Sequence, residues 1–176
     1  MKKYKLTTET LQFAGLTLHR IKAVKDFDSI KAGEFGGWIE NEKNLSQDDN
    51  AWIYGDVMVF DNAEVYDNAE VYGNAKVYGN ANVFGNAKVY GNAAIKGDAK
   101  VHDAVDYIVF KNFWSSGRYF TWTSSNNKWS VGCFYGTGEE LIKKAYADSE
   151  KSGREYERVV RYVESILADE KKEKSN

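Results

Sequence analysis

Two histidines, one cysteine and a group of aromatic residues around one arginine are the side chains of this sequence whose types could do chemistry. His102 has a carboxylate beside it, Asp103, and is the candidate general base, while His19 has no carboxylate partner in a motif. Cys133 lies inside SVGCFY, a strand-like pattern in which a cysteine is most often a small core residue rather than a nucleophile. GTGEE carries glycines but no following Lys-Ser/Thr, so it reads as the start of a helix and not as a phosphate loop. The carboxylates Asp48, Asp49, Asp61 and Asp67 have no His or Cys near them in sequence, and neither a metal nor a cofactor is expected.

A richer candidate surface lies near the C-terminus. Trp114, Arg118, Tyr119, Trp122, Trp129 and Tyr135 supply flat rings and a guanidinium that could stack a base or another planar group. Ser115, Ser116, Arg118 and a helix N-terminus at Thr137 offer hydrogen bonds to phosphates. The competing expectation is that these aromatics, Trp122 and Phe134 above all, are the core of a small domain.

The elements that must position these residues are announced by a repeat. From Trp52 to His102 the chain returns to NAxVYG-like hexads, with Ile53, Val59, Val65, Val71, Val77, Val83, Val89, Ile95 and Val101 spaced six apart. Two residues before each stands a small one, an alanine everywhere except Val57. The β-branched residue suits an inward-pointing strand position, and the Gly/Asp–Asn/Asp pair tolerates the left-handed backbone of a corner. A six-residue period does not fit a helix, where glycine or asparagine would recur in every second turn. Three hexads close one coil of about 18 residues, stacked at roughly 4.8 Å, which predicts a left-handed parallel β-helix (β-solenoid). Residues eighteen apart then stack outward as the ladders Tyr54–Tyr72–Tyr90, Phe60–Tyr78 and Tyr66–Phe84.

Residues 1–35 read as an N-terminal cap, with LTLHRIKAV alternating like a half-buried strand, and 36–104 as the solenoid, with Trp38, Ile39 and Leu45 as early interior residues. The segments GLTLHRIKAVKDF, KAGEFGGWIENEKNLS and AWIYGD, followed by the NAxVYG repeats, resemble β-solenoid proteins of the YdcK type, over roughly residues 3–104. That resemblance implies the fold. It also implies a bacterial or phage setting, and a transferase reading by analogy to hexapeptide acyltransferases, with His102 as base.

After Val105 the period vanishes. DYIVFKNF, RYFTWT and KWSVGCFY predict three strands. Thr137–Glu140 and Ser152–Glu155 read as capping boxes opening two helices. The second helix carries the apolar stripe Tyr156, Val159, Val160, Val163, Ile166 and Leu167, and its turns bring together Arg154–Arg158 and Glu157–Arg161. Residues 105–170 are thus expected to be a small α+β module, and 171–176 a disordered tail. The whole is mainly β.

A net charge of −2 argues against a DNA or RNA binder, and no stretch is apolar enough to span a membrane, so a cytoplasmic protein is expected. Proline is absent and aromatics make up 15% of the chain, which fits a backbone engaged in ladders and a surface rich in flat rings. The functional expectation is a non-catalytic, homo-oligomeric binding protein, phage-encoded, that counters bacterial immunity by sequestering a nucleotide-type signal on its C-terminal module. The alternatives are a hexapeptide-type acyl or nucleotidyl transferase and a structural scaffold that binds a host protein.

Overall fold

A computed structural model describes residues 2–173. The chain opens with a hairpin, β1 (Tyr4–Phe13) and β2 (Leu16–Ala23), followed by β3 (Phe35–Ile39). Nine two-residue rungs come next: β4 (Trp52–Ile53), β5 (Met58–Val59), β6 (Glu64–Val65), β7 (Glu70–Val71), β8 (Lys76–Val77), β9 (Asn82–Val83), β10 (Lys88–Val89), β11 (Ala94–Ile95) and β12 (Lys100–Val101). They stack in parallel into three faces, β3-β5-β8-β11, β4-β7-β10 and β6-β9-β12. Pairing joins positions 18 residues apart, Met58 to Lys76 and Lys76 to Ala94. The first coil is longer, since Trp38 pairs with Met58 and Leu45 with Val65. The result is the expected β-solenoid of hexapeptide-repeat type.

One hexad cannot stand alone. Burying a valine contributes about 1.5–3 kcal/mol, while fixing each backbone residue costs about 1–2 kcal/mol. Stacking changes the balance, because each coil closes the ladder bonds of its neighbour. The β-branched residues and alanines of the repeat are all buried at 0–1% exposure and form one continuous core. At the corners Asn50 donates to Asn68 at 3.0 Å and Asn62 to Asn80 at 3.1 Å. The isolated carboxylates also serve corners, with Asp61 accepting from the Gly79 N–H and Asp67 from the Gly85 N–H, both at 3.1 Å. Gly79 shows why a corner tolerates so little: its φ is +75°, and a Cβ there would meet the Gly97 nitrogen of the next coil at 2.9 Å.

The predicted ladders form. Phe60–Tyr78 and Tyr66–Phe84 stack at 4.9 and 5.1 Å, and Tyr54, Tyr72 and Tyr90 follow one another at 5.4 and 6.4 Å. Trp38 departs from expectation. Ile39 and Leu45 are interior, but Trp38 faces outward and packs with Leu18 and Phe60 beneath the N-terminal hairpin. The cap holds a strand that sequence reading missed, β1, and it closes the first coil with buried polar groups. Lys3 donates to the Ala51 and Asp49 carbonyls at 2.7 and 2.9 Å, and the Tyr4 hydroxyl donates to the Leu45 carbonyl at 2.7 Å.

The C-terminal module has four antiparallel strands, β13 (Tyr107–Lys111), β14 (Tyr119–Thr123), β15 (Lys128–Val131) and β16 (Phe134–Gly136), rather than three. The expected third strand breaks at Gly132, whose φ of +57° makes a tight turn, so Cys133 is exposed in that turn and not in the core. Helices α1 (Gly138–Asp148) and α2 (Glu150–Glu173) follow. Thr137 caps α1 with Glu140 in the reciprocal box expected. The second box does not form, because α2 begins at Glu150 and runs straight through Ser152. Lys171–Glu173 continue this helix instead of the expected disordered tail, whose remaining positions, 174–176, lie outside the described residues. The α2 stripe packs on its own sheet and on α1. Its charges pair as Arg154–Glu150, Arg158–Glu155 and Arg161–Glu157, so the expected Arg154–Arg158 neighbours each hold a carboxylate. No helix among the described residues is long and apolar enough to cross a membrane.

Candidate functional site

Strand alternation gives the C-terminal sheet two different faces. Ile108, Phe110, Phe120, Trp122, Trp129 and Val131 turn towards the helices and form the module's core. The other face meets the last coil with hydroxyls. A solenoid end leaves ladder N–H groups without partners, and here side chains take some of them up on each of the three faces. Ala94 N–H donates to Thr121 Oγ1 at 3.0 Å, Lys100 N–H to Ser125 Oγ at 2.8 Å, and Tyr90 N–H to the Tyr107 hydroxyl at 3.2 Å. The module is therefore the second cap of the solenoid.

This placement divides the predicted binding residues. Trp122 and Trp129, at 3% and 2% exposure, belong to the core, and the Trp122 indole donates to Asn127 at 2.9 Å. Tyr135 reaches the solenoid and donates to Asp98 at 3.2 Å, and Asn126 donates to both. Those bonds, the one from Asn126 first, hold the Asp98 carboxyl below its usual range. Thr137 is occupied by its capping box. Trp114 stands in solvent at 65% exposure on the loop between β13 and β14. Of the predicted binding residues, Arg118 and Tyr119 are the two that line one cleft, at the junction with the solenoid.

There they line a cleft of about 280 Å³ between the β8–β11 face and the sheet, with Lys76, Tyr78, Thr121 and Ser130. No carboxylate lines it. The Arg118 guanidinium lies against Gly132, and Lys76 rests on the Phe13 ring at 4.6 Å; among the described residues neither forms an ion pair. From Tyr107 to Gly138 the chain carries Lys111, Arg118 and Lys128 and no acidic residue, so the segment itself is basic, and the carboxylates near it, Asp61 and Asp98, come from the solenoid. Ser130 is 4% exposed and its hydroxyl makes no hydrogen bond. The Tyr78 hydroxyl is close enough to influence it but falls short of hydrogen-bond geometry, and burial pushes the Tyr78 phenol up. Next to this cleft Lys96 is buried between the Tyr78 and Tyr135 rings, at 5.5 and 5.4 Å, and burial lowers its pKa. Lys76, Tyr78, Thr121 and Ser130 were not singled out from sequence. The repeat marked Tyr78 as outward-facing, but nothing local said which face the module would cover.

His102 occupies the outward ladder position beneath Phe84, edge-on at 5.1 Å. Its Nδ1 lies 2.6 Å from Asp103, and that hydrogen bond raises the imidazole pKa. The side chain is 53% exposed on the open surface, away from the junction cleft. His19 sits on β2 opposite Thr10 and Ile39. Among the described residues no three His, Cys, Asp or Glu side chains gather closely enough to hold a metal ion.

No protein-family model matches the chain. A stretch of 62 residues is 39% identical to a protein of Escherichia coli (strain K12) named "Uncharacterized acetyltransferase YdcK", covering 31% of this chain and 19% of that protein. The chain therefore spans about a fifth of that relative's length.

Proposed function

We propose that this is a non-catalytic binding protein that captures a small, planar, anionic ligand of nucleotide type in the cleft between solenoid and C-terminal module. The carrying observation is the convergence of Lys76, Arg118 and the buried, unbonded Ser130 hydroxyl on a cleft without a carboxylate. A buried hydroxyl without a partner costs about 1–3 kcal/mol, and an acceptor entering the cleft removes that cost. Arg118 offers a phosphate two parallel N–H donors, and the Tyr119 ring supplies a surface for a base. In a phage-encoded, oligomeric protein, such capture would withdraw a nucleotide signal from bacterial immunity.

The test is a thermal-shift panel of mononucleotides, cyclic di- and trinucleotides, ADP-ribose derivatives and inorganic phosphate. At least one nucleotide stabilises the protein, and Arg118→Ala and Lys76→Ala abolish that shift without lowering the unliganded Tm. A flat panel, or a shift that both variants keep, overturns the reading. Native mass spectrometry before and after denaturation reads the oligomer and any captured mass.

The transferase alternative draws on the relative's name and on the 2.6 Å pair of His102 and Asp103. Coenzyme A-dependent acyl transfer to amines or hydroxyls that His102→Ala abolishes would favour it. Transfer unaffected by that substitution, or none at all, removes it.

A further inference from the structure

The sheet order β13-β14-β15-β16 leaves one long side of β13 without a strand. Asn112 N–H bonds the Arg118 carbonyl and Ser124 N–H bonds the Asp106 carbonyl, so the even-numbered residues pair with β14. By the alternation of an antiparallel ladder, the N–H and C=O groups of Tyr107, Val109 and Lys111 face the open side. On the helix side of the sheet α2 runs opposite in direction to β13, and two clefts lie between them along the strand. The first, about 410 Å³, is lined by Phe110, Trp114, Val159 and Tyr162. The second, about 570 Å³, is lined by Val105, Ile108, Trp122, Ile166 and Leu167, with Asp106 and Glu173 at its rim.

Apolar side chains are unusually exposed along this groove. Val105, Trp114 and Tyr162 line it and are 80%, 65% and 56% exposed, three of the eight large hydrophobic residues so exposed among those described, and Phe113, 71% exposed, packs beside Trp114. The loop that presents Trp114 is built rather than slack. Asn112, 2% exposed, accepts from the Trp114 and Ser115 N–H groups at 3.0 and 3.1 Å and donates to Ser115 Oγ at 2.8 Å. Asn112 therefore fixes the turn that leaves two large rings in water, a cost that folding alone does not explain.

We propose that this groove binds an extended peptide segment of a protein partner, which adds a strand to β13. An open strand edge supplies ladder hydrogen bonds to any extended chain, and side pockets select its alternate side chains. Alternate residues of such a strand are about 7 Å apart, the spacing of Ile108 and Phe110, which lie in one cleft each. The peptide thus carries apolar residues at alternate positions. It also carries a basic residue at the end that meets Glu173, since the Asp106 carboxylate already accepts from the His102 and Asp103 N–H groups and the Ser124 hydroxyl. This site lies on the helix side of the sheet and is independent of the junction cleft.

The experiment is selection of a displayed library of random linear twelve-residue peptides on the full chain, followed by fluorescence anisotropy with the enriched sequence. The expected winners alternate apolar and polar residues, have a lysine or arginine at one end, and lose at least tenfold in affinity when a central residue is N-methylated. Trp114→Ala and Tyr162→Ala, both at exposed positions, weaken binding at least tenfold at unchanged Tm. Arg118→Ala leaves binding intact and so separates this site from the nucleotide reading. Enriched peptides with helical spacing, no enrichment, or binding indifferent to both groove variants would overturn the proposal. So would sedimentation showing a dimer that Tyr162→Ala dissociates, since the groove would then seat a second copy.

Discussion

Replacing Thr121 by valine keeps the shape of the side chain and removes only the oxygen that accepts the Ala94 N–H. Thr121 is 1% exposed, and Ala94 lies on the last rung of its face, so no further coil supplies another acceptor. A buried N–H left unsatisfied costs about 1–3 kcal/mol. For a chain of this length that corresponds to a Tm lower by roughly 2–4 °C per kcal/mol. Tyr107→Phe removes two bonds at once, from the Tyr90 N–H and to the Lys88 carbonyl at 3.0 Å, at a residue 8% exposed, and costs about 2 kcal/mol. Ser125 is exposed, so water replaces its hydroxyl and Ser125→Ala costs less than about 0.5 kcal/mol although it caps the third face. Urea denaturation of the three variants should rank them by burial and not by the number of ladder groups they cap. If Thr121→Val stays within about 0.5 kcal/mol of the parent, or Ser125→Ala costs as much as Thr121→Val, capping by hydroxyls does not hold the module to the solenoid.

Val77→Ala, in the middle of the core at 0% exposure, opens a small cavity and lowers stability by about 1–3 kcal/mol, read by the same denaturation. Gly97→Ala places a methyl group against the Tyr135 hydroxyl at a backbone φ of +69°; it should separate the module from the last coil, seen as faster proteolysis between residues 102 and 107. The His102 imidazole, observed by NMR, should titrate above its ordinary value because of Asp103, and Asp103→Asn should return it towards that value. Since the folded pKa is raised, any stability it contributes is complete below the unfolded pKa and fades as pH rises through the folded one. A His102→Gln variant should lose that pH dependence.

The solenoid was legible because its information is local and repeated. Every Val–Tyr pair of the hexads states an inward and an outward position, and the register of eighteen follows from three hexads per coil. Trp38 was misread because its tryptophan resembles an interior residue, whereas its burial comes from Leu18 on a hairpin distant in sequence. Cys133 was misread because the alternation of KWSVGCFY runs unbroken through Gly132, and only that residue's positive φ turns one strand into two. The ligand-binding candidates were harder. Trp114, Trp122 and Trp129 look alike in sequence, yet two lie beneath the helices and one stands in water. Trp122 was already the stronger core candidate, but that Trp129 joins it and Trp114 does not depends on the tertiary packing of the two helices against one face of the sheet.

That sheet links the fold to the sites proposed on it. A cap needs a polar face for the coil end and an apolar face for its own core, and period-2 alternation supplies both from the same strands. Thr121, Ser130 and Tyr135 face the solenoid in one registered row, of which Thr121 and Tyr135 bond to the last coil. Ser130, the middle member, bonds to nothing on the last coil; its hydroxyl is buried, and only the Tyr78 hydroxyl comes near it, short of full hydrogen-bond geometry. A cap selected for closure alone would do better with an apolar residue there, since an alanine avoids the cost of a buried, unbonded hydroxyl. Ser130→Ala therefore discriminates. It should raise the unliganded Tm by about 2–4 °C, corresponding to roughly 1 kcal/mol regained, while weakening nucleotide binding. A variant that loses stability instead would mean that the hydroxyl is already satisfied, by Tyr78 or by water, and that the cleft has no need of a ligand.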